Sequence, residues 1–351
     1  MFEVQTRQDV LKRLLQDFKQ IDTTGMSTHE GTFVFDTLSA NAVEFEKSYA
    51  EMQLILDAAF PQTSWGQYLT MHAEAHGVIR KKATKSKAVL KLTGIEGTIV
   101  PIGVTVATVE GKLFKTIELV TIGNTGDVTV KVESEDIGKD SNVNANAITE
   151  IITAVDGLKS VINEQKSYDG FDEESDKDLL QRLLFKVRQP ATSGNAYHYM
   201  QWAQSVNGVG QVKVLPLWNG AGTVKVLLVD VNNESANTSL LDRVKAVIAK
   251  EAPIGATVTV TTPTVINVNI SFRVTKGNAN HEAVKRILND EFKKQTFSMN
   301  YISYANIGKA LLANAETGII DYSDLRVNGG TANINITDDQ LPRVNEVTIN
   351  G

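Results

Sequence analysis

Apolar and polar residues recur along this chain with two different periods, and the change of period divides it. In the first 77 residues the period is helical. Val10, Leu11, Leu14, Leu15 and Phe18 within TRQDVLKRLLQDFKQI predict an amphipathic helix. A break rich in glycine and threonine, DTTGMSTHEGT, follows, and then a longer helix is predicted from about Phe33 to Phe60, closed by Pro61. Along it Phe35, Leu38, Ala42, Phe45, Tyr49, Met52, Leu56 and Ala59 fall at spacings of 3, 4, 3, 4, 3, 4 and 3. This is a heptad seam, suited to lengthwise packing against other long helices. Two coverings stand open: the first helix of the same chain, or a multi-chain bundle. The first helix is the shorter, so on its own it leaves part of the seam bare.

From about residue 86 the period becomes two. SKAVLKLTG, GTIVPIGVTVAT, KLFKTIELV and GDVTVKVES read as short strands separated by glycine-containing turns. Pro101 marks its segment as an edge or a turn. Helices then return: ESDKDLLQRLLFKV, opened by Ser175 and Asp178 as a capping box, and SGNAYHYMQWAQSV. NGAG between QVKVLPLW and TVKVLLVD predicts a hairpin, SLLDRVKAVIAKE a helix stopped by Pro253, and GATVTVTTP a strand. In VINVNISFRV, Ile266, Val268, Ile270, Phe272 and Val274 share one face, with Asn267, Asn269, Ser271 and Arg273 on the other. Two helices, HEAVKRILNDEFKKQ and YANIGKALLAN, and closing strands complete the chain. The expected fold is α+β and multidomain: a long-helix arm (1–77), an antiparallel β domain (78–168) and two small α+β domains (169–262 and 263–351).

Composition narrows the chemistry. The 351 residues are 42% hydrophobic and 22% charged, as in a globular protein, and the net charge of -6 argues against a nucleic-acid-binding surface. Without cysteine there is no disulfide, thiolate metal site or cysteine nucleophile. No apolar signal-peptide core and no run of about 18 apolar residues is present, so a soluble, cytoplasmically folded protein without a membrane span is expected.

Three stretches invite a reading as sites. In MHAEAHG, His72 and His76 stand four apart, the spacing of a zinc-binding helix. Ala73 occupies the position where a zincin needs glutamate, and no third ligand follows at a suitable distance, so a histidine-bearing helix end closed by Gly77 is expected instead. The carboxylate-rich DGFDEESDKD lacks the ligand alternation of a calcium loop and reads as a solvated helix start. A basic cluster, Arg80, Lys81, Lys82, Lys85, Lys87 and Lys91, is the only local bias toward an anionic partner. Trp65, Trp202 and Trp218 are too scattered for a sugar platform and read as core or interface anchors. No catalytic residue, cofactor site or metal site is assigned.

Four segments, in order, resemble one family, the baseplate J-like proteins of contractile phage tails, prophages and tailocins. SWGQYLTMHAEAHGVIRKKAT resembles its G-x-x-L, helix, G-[IV]-x-R pattern through Gly66, Leu69, Gly77, Val78 and Arg80, with Thr70 where an acidic residue is expected. LTGIEGTIVPIGVTVATVEGKLFKT matches T-G-x-x-G-x-x-[IV]-P-x-G and a later Phe-Thr strand through Thr93, Gly94, Gly97, Pro101, Gly103, Phe114 and Thr116. GFDEESDKDLLQRLL and the stretch from Ser193 to Asp230 resemble its third and fourth patterns, the latter through Gly194, Tyr199, Trp202, Ala203, Val206, Gly208 and Val209.

The resemblance implies a structural, non-enzymatic wedge subunit of a tail baseplate, built in the host cytoplasm and carried in the virion or tailocin particle. It implies that the N-terminal helices bundle with a second wedge protein and that C-terminal domains of neighbouring copies form a ring around the hub, with sheath-attachment and hub proteins nearby. The seam residues expected to face the partner are Phe35, Leu38, Phe45, Tyr49, Met52 and Leu56. Two rivals remain: a receptor-binding or adhesin module using the β domain, and a metal hydrolase using His72 and His76.

Overall fold

The computed structural model describes residues 5–189, 191–192 and 194–350. The chain divides into two compact units, Met1–Arg80 with Ser175–Leu184, and Lys81–Glu174 with Phe185–Gly351. The fold is α+β, with eight α-helices among the described residues.

The first unit is helical. Helix α1 (Arg7–Ile21) is started by Thr6, whose hydroxyl accepts the Asp9 N–H while the Asp9 carboxylate accepts the Thr6 N–H. The Thr6 hydroxyl and amide hold the Asp9 carboxyl below its ordinary value. Helix α2 (Phe33–Ala59) is capped by Thr32 and stops two residues before Pro61. Helix α3 (Gly66–Ala75) ends in a Schellman turn: Gly77 is left-handed at φ 68°, and the Val78 N–H reaches the Ala73 carbonyl at 2.8 Å. Helix α4 (Asp176–Arg188) starts on the Ser175–Asp178 box, and its residues up to Leu184 belong to this unit. Leu69, Ala73, Val78, Leu179 and Leu183 form a small closed core. A second contact, between α1 and α2, buries Val10 and Ala42.

The second unit opens with β1 (Lys85–Gly94), β2 (Ile99–Val100), β3 (Thr105–Thr108), β4 (Leu113–Thr116), β5 (Val120–Thr121), β6 (Asp127–Ile137), β7 (Ile148–Ile151) and β8 (Leu158–Ile162). Six of them form one antiparallel sheet in the order β7-β3-β4-β6-β1-β8. Its edge strands β7 and β8 also meet, so the sheet curls into a nearly closed barrel around Leu90, Leu92, Val106, Phe114, Val130 and Val132. GTIVPIGVTVAT, expected as one strand, is cut into β2 and β3. Pro101 has no N–H to give a ladder, and Gly103 turns the chain at φ 88°. KLFKTIELV is divided likewise into β4 and β5, which pairs with β2.

Next come α5 (Ala196–Ser205), β9 (Val209–Pro216), β10 (Thr223–Asp230), α6 (Thr238–Glu251) and β11 (Thr257–Thr261). The expected hairpin is β9–β10. Strand β11 lies parallel to β10 because α6 carries the chain back across the sheet. Tyr199, Ala203, Leu240, Val244, Val226 and Leu228 fill the core between sheet and helices. Last come β12 (Thr264–Gly277), α7 (His281–Lys294), β13 (Tyr301–Ile302), α8 (Tyr304–Ala313), β14 (Ile319–Val327), β15 (Ile334–Asn335) and β16 (Gln340–Asn350), with the main sheet ordered β14-β12-β16. Val268, Ile270 and Phe272 of β12 are buried against Val284, Leu288 and Phe292 of α7, as the two-residue period requires, while Asn267, Asn269 and Arg273 stay exposed on the other face.

One ion pair joins the barrel's exit to α6. Asp169, left-handed at φ 68° and buried, takes a bidentate pair from Arg243 at 2.6 and 3.1 Å, and the same guanidinium donates to the Asn207 carbonyl at 3.3 Å.

Candidate partner-binding surface

Helix α2 is 27 residues long, yet only Val34, Ser39 and Ala42 are fully buried. Helix α1 accounts for the covered stretch. Arg7 donates its backbone N–H to Glu46 at 2.8 Å and its guanidinium to Ser39 at 2.6 Å, and Arg13 reaches the Tyr49 hydroxyl at 3.1 Å. Residues 7–13 of α1 therefore lie along residues 39–49 of α2. Of the six seam residues expected to meet a partner, Phe35, Leu38, Tyr49 and Leu56 are half-buried, whereas Phe45 is 49% and Met52 61% exposed. The heptad template is also narrower than the apolar surface. Ile55, three residues beyond Met52, is 69% exposed and widens the strip, and Leu54 and Phe60 add exposed apolar area. A search for a three-apolar-per-heptad face finds Ile55, which a two-per-heptad seam omits.

Exposed large apolar side chains continue past α2. Trp65 and Tyr68 pack edge-on at 5.6 Å and both stay partly in solvent, as does Met71. With Met52, Leu54 and Ile55 they make this unit a candidate interaction surface.

His72 in α3's last turn and His76 at its C-cap have structural roles. The Ala58 carbonyl at the end of α2 accepts from His72 Nε2 at 2.8 Å, which satisfies one of the helix's orphan acceptors. Immediately before α3's closing glycine, His76 is the helix C-cap. Beside them lies a polar clasp. Arg80 donates to the Thr70 hydroxyl at 2.8 Å, to the Gly66 carbonyl at 3.1 Å and to Asp176 at 2.6 Å, and the other Asp176 oxygen accepts the Gly66 N–H at 2.8 Å. The Gly66 amide first, and Arg80 with it, hold the Asp176 carboxyl below its ordinary value. Thr70 supplies a hydroxyl where an acid was expected, and the acid comes from α4. The long-range partner explains why the departure at 70 leaves the arginine satisfied.

The basic cluster is largely answered from within the chain. Besides Arg80, Lys85 pairs with Glu133 at 3.9 Å and Lys91 with Asp127 at 3.0 Å, while Lys81 reaches the Val209 carbonyl at 3.3 Å. The acidic stretch is equally engaged. Asp169 holds Arg243, Asp172 accepts from the Lys139 amide and pairs with its ammonium, and Glu174 accepts the Lys81 N–H. Among the described residues no group of three or more histidine, aspartate or glutamate side chains is arranged to hold a metal ion. Trp202 packs edge-on against Tyr199 and stacks on His198, and Trp218 lies under the Lys225 ammonium.

Comparison with known proteins bears on the whole length. Residues 89–170 match the Baseplate J-like protein barrel domain, 191–262 the Baseplate J-like central domain and 266–350 the Baseplate J-like protein C-terminal domain. Two Bacillus subtilis (strain 168) proteins align over 99% of this chain and 99% of their own: the phage-like element PBSX protein XkdT at 31% identity and the uncharacterized protein YqbT at 32%. The baseplate protein gp47 of Escherichia phage Mu is 31% identical over 50% of this chain and 49% of its own. No helix among the described residues is long and apolar enough to cross a membrane.

Proposed function

The chain belongs to the Baseplate J-like family of tail baseplate structural proteins, and from that premise we propose that it is a wedge subunit whose helical arm docks a second wedge protein. The observation that carries this reading is the apolar strip of α2 that runs from the edge of the α1 contact, where Phe45 is half exposed, to Met52 and Ile55 beyond it, area that no described residue of the first unit closes over. Burying what these three side chains still expose against a partner helix contributes on the order of 3–5 kcal/mol, before the costs of association are subtracted.

The division into arm, barrel, central and C-terminal regions at 77, 168 and 262 is part of the same reading. So is a ring of neighbouring copies through residues 263–351, whose sheet keeps the polar face of Asn267, Asn269 and Arg273 open. In this reading the subunit assembles in the host cytoplasm, acts with hub and sheath-attachment proteins nearby, and performs no catalysis.

The test is co-expression with the neighbouring tail genes of its source, with and without Phe45→Asp and Met52→Asp together. The expected result is a stable complex with one helical tail protein, lost in the double variant while the variant chain keeps its circular dichroism and melting temperature. Absence of any complex, or a complex indifferent to the double change, overturns the docking face.

A further inference from the structure

The charges around the bare strip say what kind of helix fits it. On the side turned to α1 the polar groups are already met: Glu46 accepts the Arg7 amide and the Tyr49 hydroxyl accepts from Arg13. On the opposite side stand Glu44 and Glu51, both exposed. Among the described residues Glu44 pairs with Lys47 alone, one helical turn along at 2.7 Å, an ion pair in full solvent that contributes little. For Glu51 no ion pair occurs among the described residues.

The sequence beyond is one-sided. From Ser48 to Ile79 there is no lysine or arginine, while Glu51, Asp57 and Glu74 are present. The last turn of α2 carries no basic residue, so the negative end of the helix dipole adds to the same field. Among the described residues that end is met by His72, through the Ala58 carbonyl, and by the neutral Thr63 hydroxyl, through the Asp57 carbonyl.

We propose that the occupant of the bare strip is an amphipathic helix of another protein, with lysine or arginine flanking its apolar seam. This rests on the docking face argued above and specifies its partner. A second copy of α2 does not meet the requirement. It sets Glu44 and Glu51 of one copy beside the same pair of the other, with one cation per copy, Lys47, already paired with its own Glu44, and no lysine or arginine from residue 48 to 79. The acidic rim likewise repels nucleic acid and anionic lipid surfaces.

The full chain is titrated with two synthetic helical peptides of identical leucine and isoleucine heptads, one with lysine and one with glutamate at the flanking positions, followed by fluorescence anisotropy. Sedimentation of the chain alone reports self-association. Expected are binding of the lysine peptide at least tenfold tighter than the glutamate peptide, a several-fold loss at 0.5 M salt, a several-fold loss with Glu44→Lys and Glu51→Lys together, and loss of binding with Met52→Asp. Equal binding of the two peptides, binding of neither, or a dimer of the chain abolished by Met52→Asp each overturns the proposal. The charge-reversed chain is also put through the co-expression test. A complex lost with the Phe45/Met52 change but untouched by charge reversal and salt leaves the docking face standing and removes only the inference about charge.

Discussion

Two helices of this chain solve the same problem in opposite ways. Helix α7 has 14 residues and buries Ala283, Val284, Leu288 and Phe292 beneath the β14-β12-β16 sheet. Helix α2, nearly twice as long and richer in apolar residues, buries only three side chains. The difference lies in what each faces. A sheet is broad enough to cover a whole apolar stripe, so α7 is closed on the molecule that made it. The shorter α1 covers only one section of α2, whose apolar residues also spread beyond a single seam. An amphipathic pattern thus shows that a helix needs covering, but not whether the same chain supplies the cover.

The comparison predicts a large effect on α7. Leu288 is 1% exposed in a closed core, so Leu288→Ala leaves a cavity and costs about 2–5 kcal/mol, read as a shift of the urea midpoint. A change below about 1 kcal/mol would mean that the core beneath α7 is loosely packed, and the contrast with α2 would lose its sharper half. Somewhat less is expected from Arg243→Met. It leaves the buried Asp169 carboxylate without its bidentate partner and costs roughly 2–4 kcal/mol, moderated because Arg243 itself is partly in solvent. Exchanging both partners for apolar residues is expected to recover much of that loss, which a double-mutant cycle measures.

These same elements show what a sequence carries and what it does not. The pleat of β12, with Val268, Ile270 and Phe272 inward, was legible because one period settles one face. The Ser175 cap and the stop before Pro61 were legible because they are made within a few residues; the Thr6 and Thr32 caps, equally local, are seen only in the structure. Local chemistry also ruled against a zincin at His72 and His76, but it did not reveal that His72 donates to Ala58, because that bond closes a turn between two helices. The Arg80–Asp176 contact spans 96 positions, and Asp169–Arg243 spans 74. Neither has a signature that periodicity can register. The seam was legible as a pattern, while its division into a covered and a bare half depended on where α1 crosses it.

Loss of the Arg80 clasp is expected to be milder than either core change. Arg80→Met deprives Thr70, the Gly66 carbonyl and Asp176 of one donor, at about 1–3 kcal/mol. Its signature is acid dependence. The Asp176 carboxyl is held below its ordinary value in the folded chain, so its contribution is complete above about pH 4 and fades as the pH falls through the folded value. Asp176→Asn is expected to flatten the stability profile below about pH 5 relative to the parent. An unchanged acid limb would show that Asp176 titrates alike in the folded and unfolded chain.

The smallest stability effect is expected where the apolar exposure is greatest. Met52 is 61% exposed, so Met52→Asp removes little buried area and places a charge in water rather than in a core, and the urea midpoint is expected to move by no more than about 0.5 kcal/mol. Both Leu288 and Met52 are apolar residues on helices of one chain, yet a truncation at the first is expected to exceed an outright charge at the second severalfold. The inequality separates the two kinds of apolar stripe without reference to any partner. If Met52→Asp destabilises the isolated chain by about 2 kcal/mol or more, the strip is buried in solution by the chain itself or by a second copy, and α2 no longer has a bare half to offer.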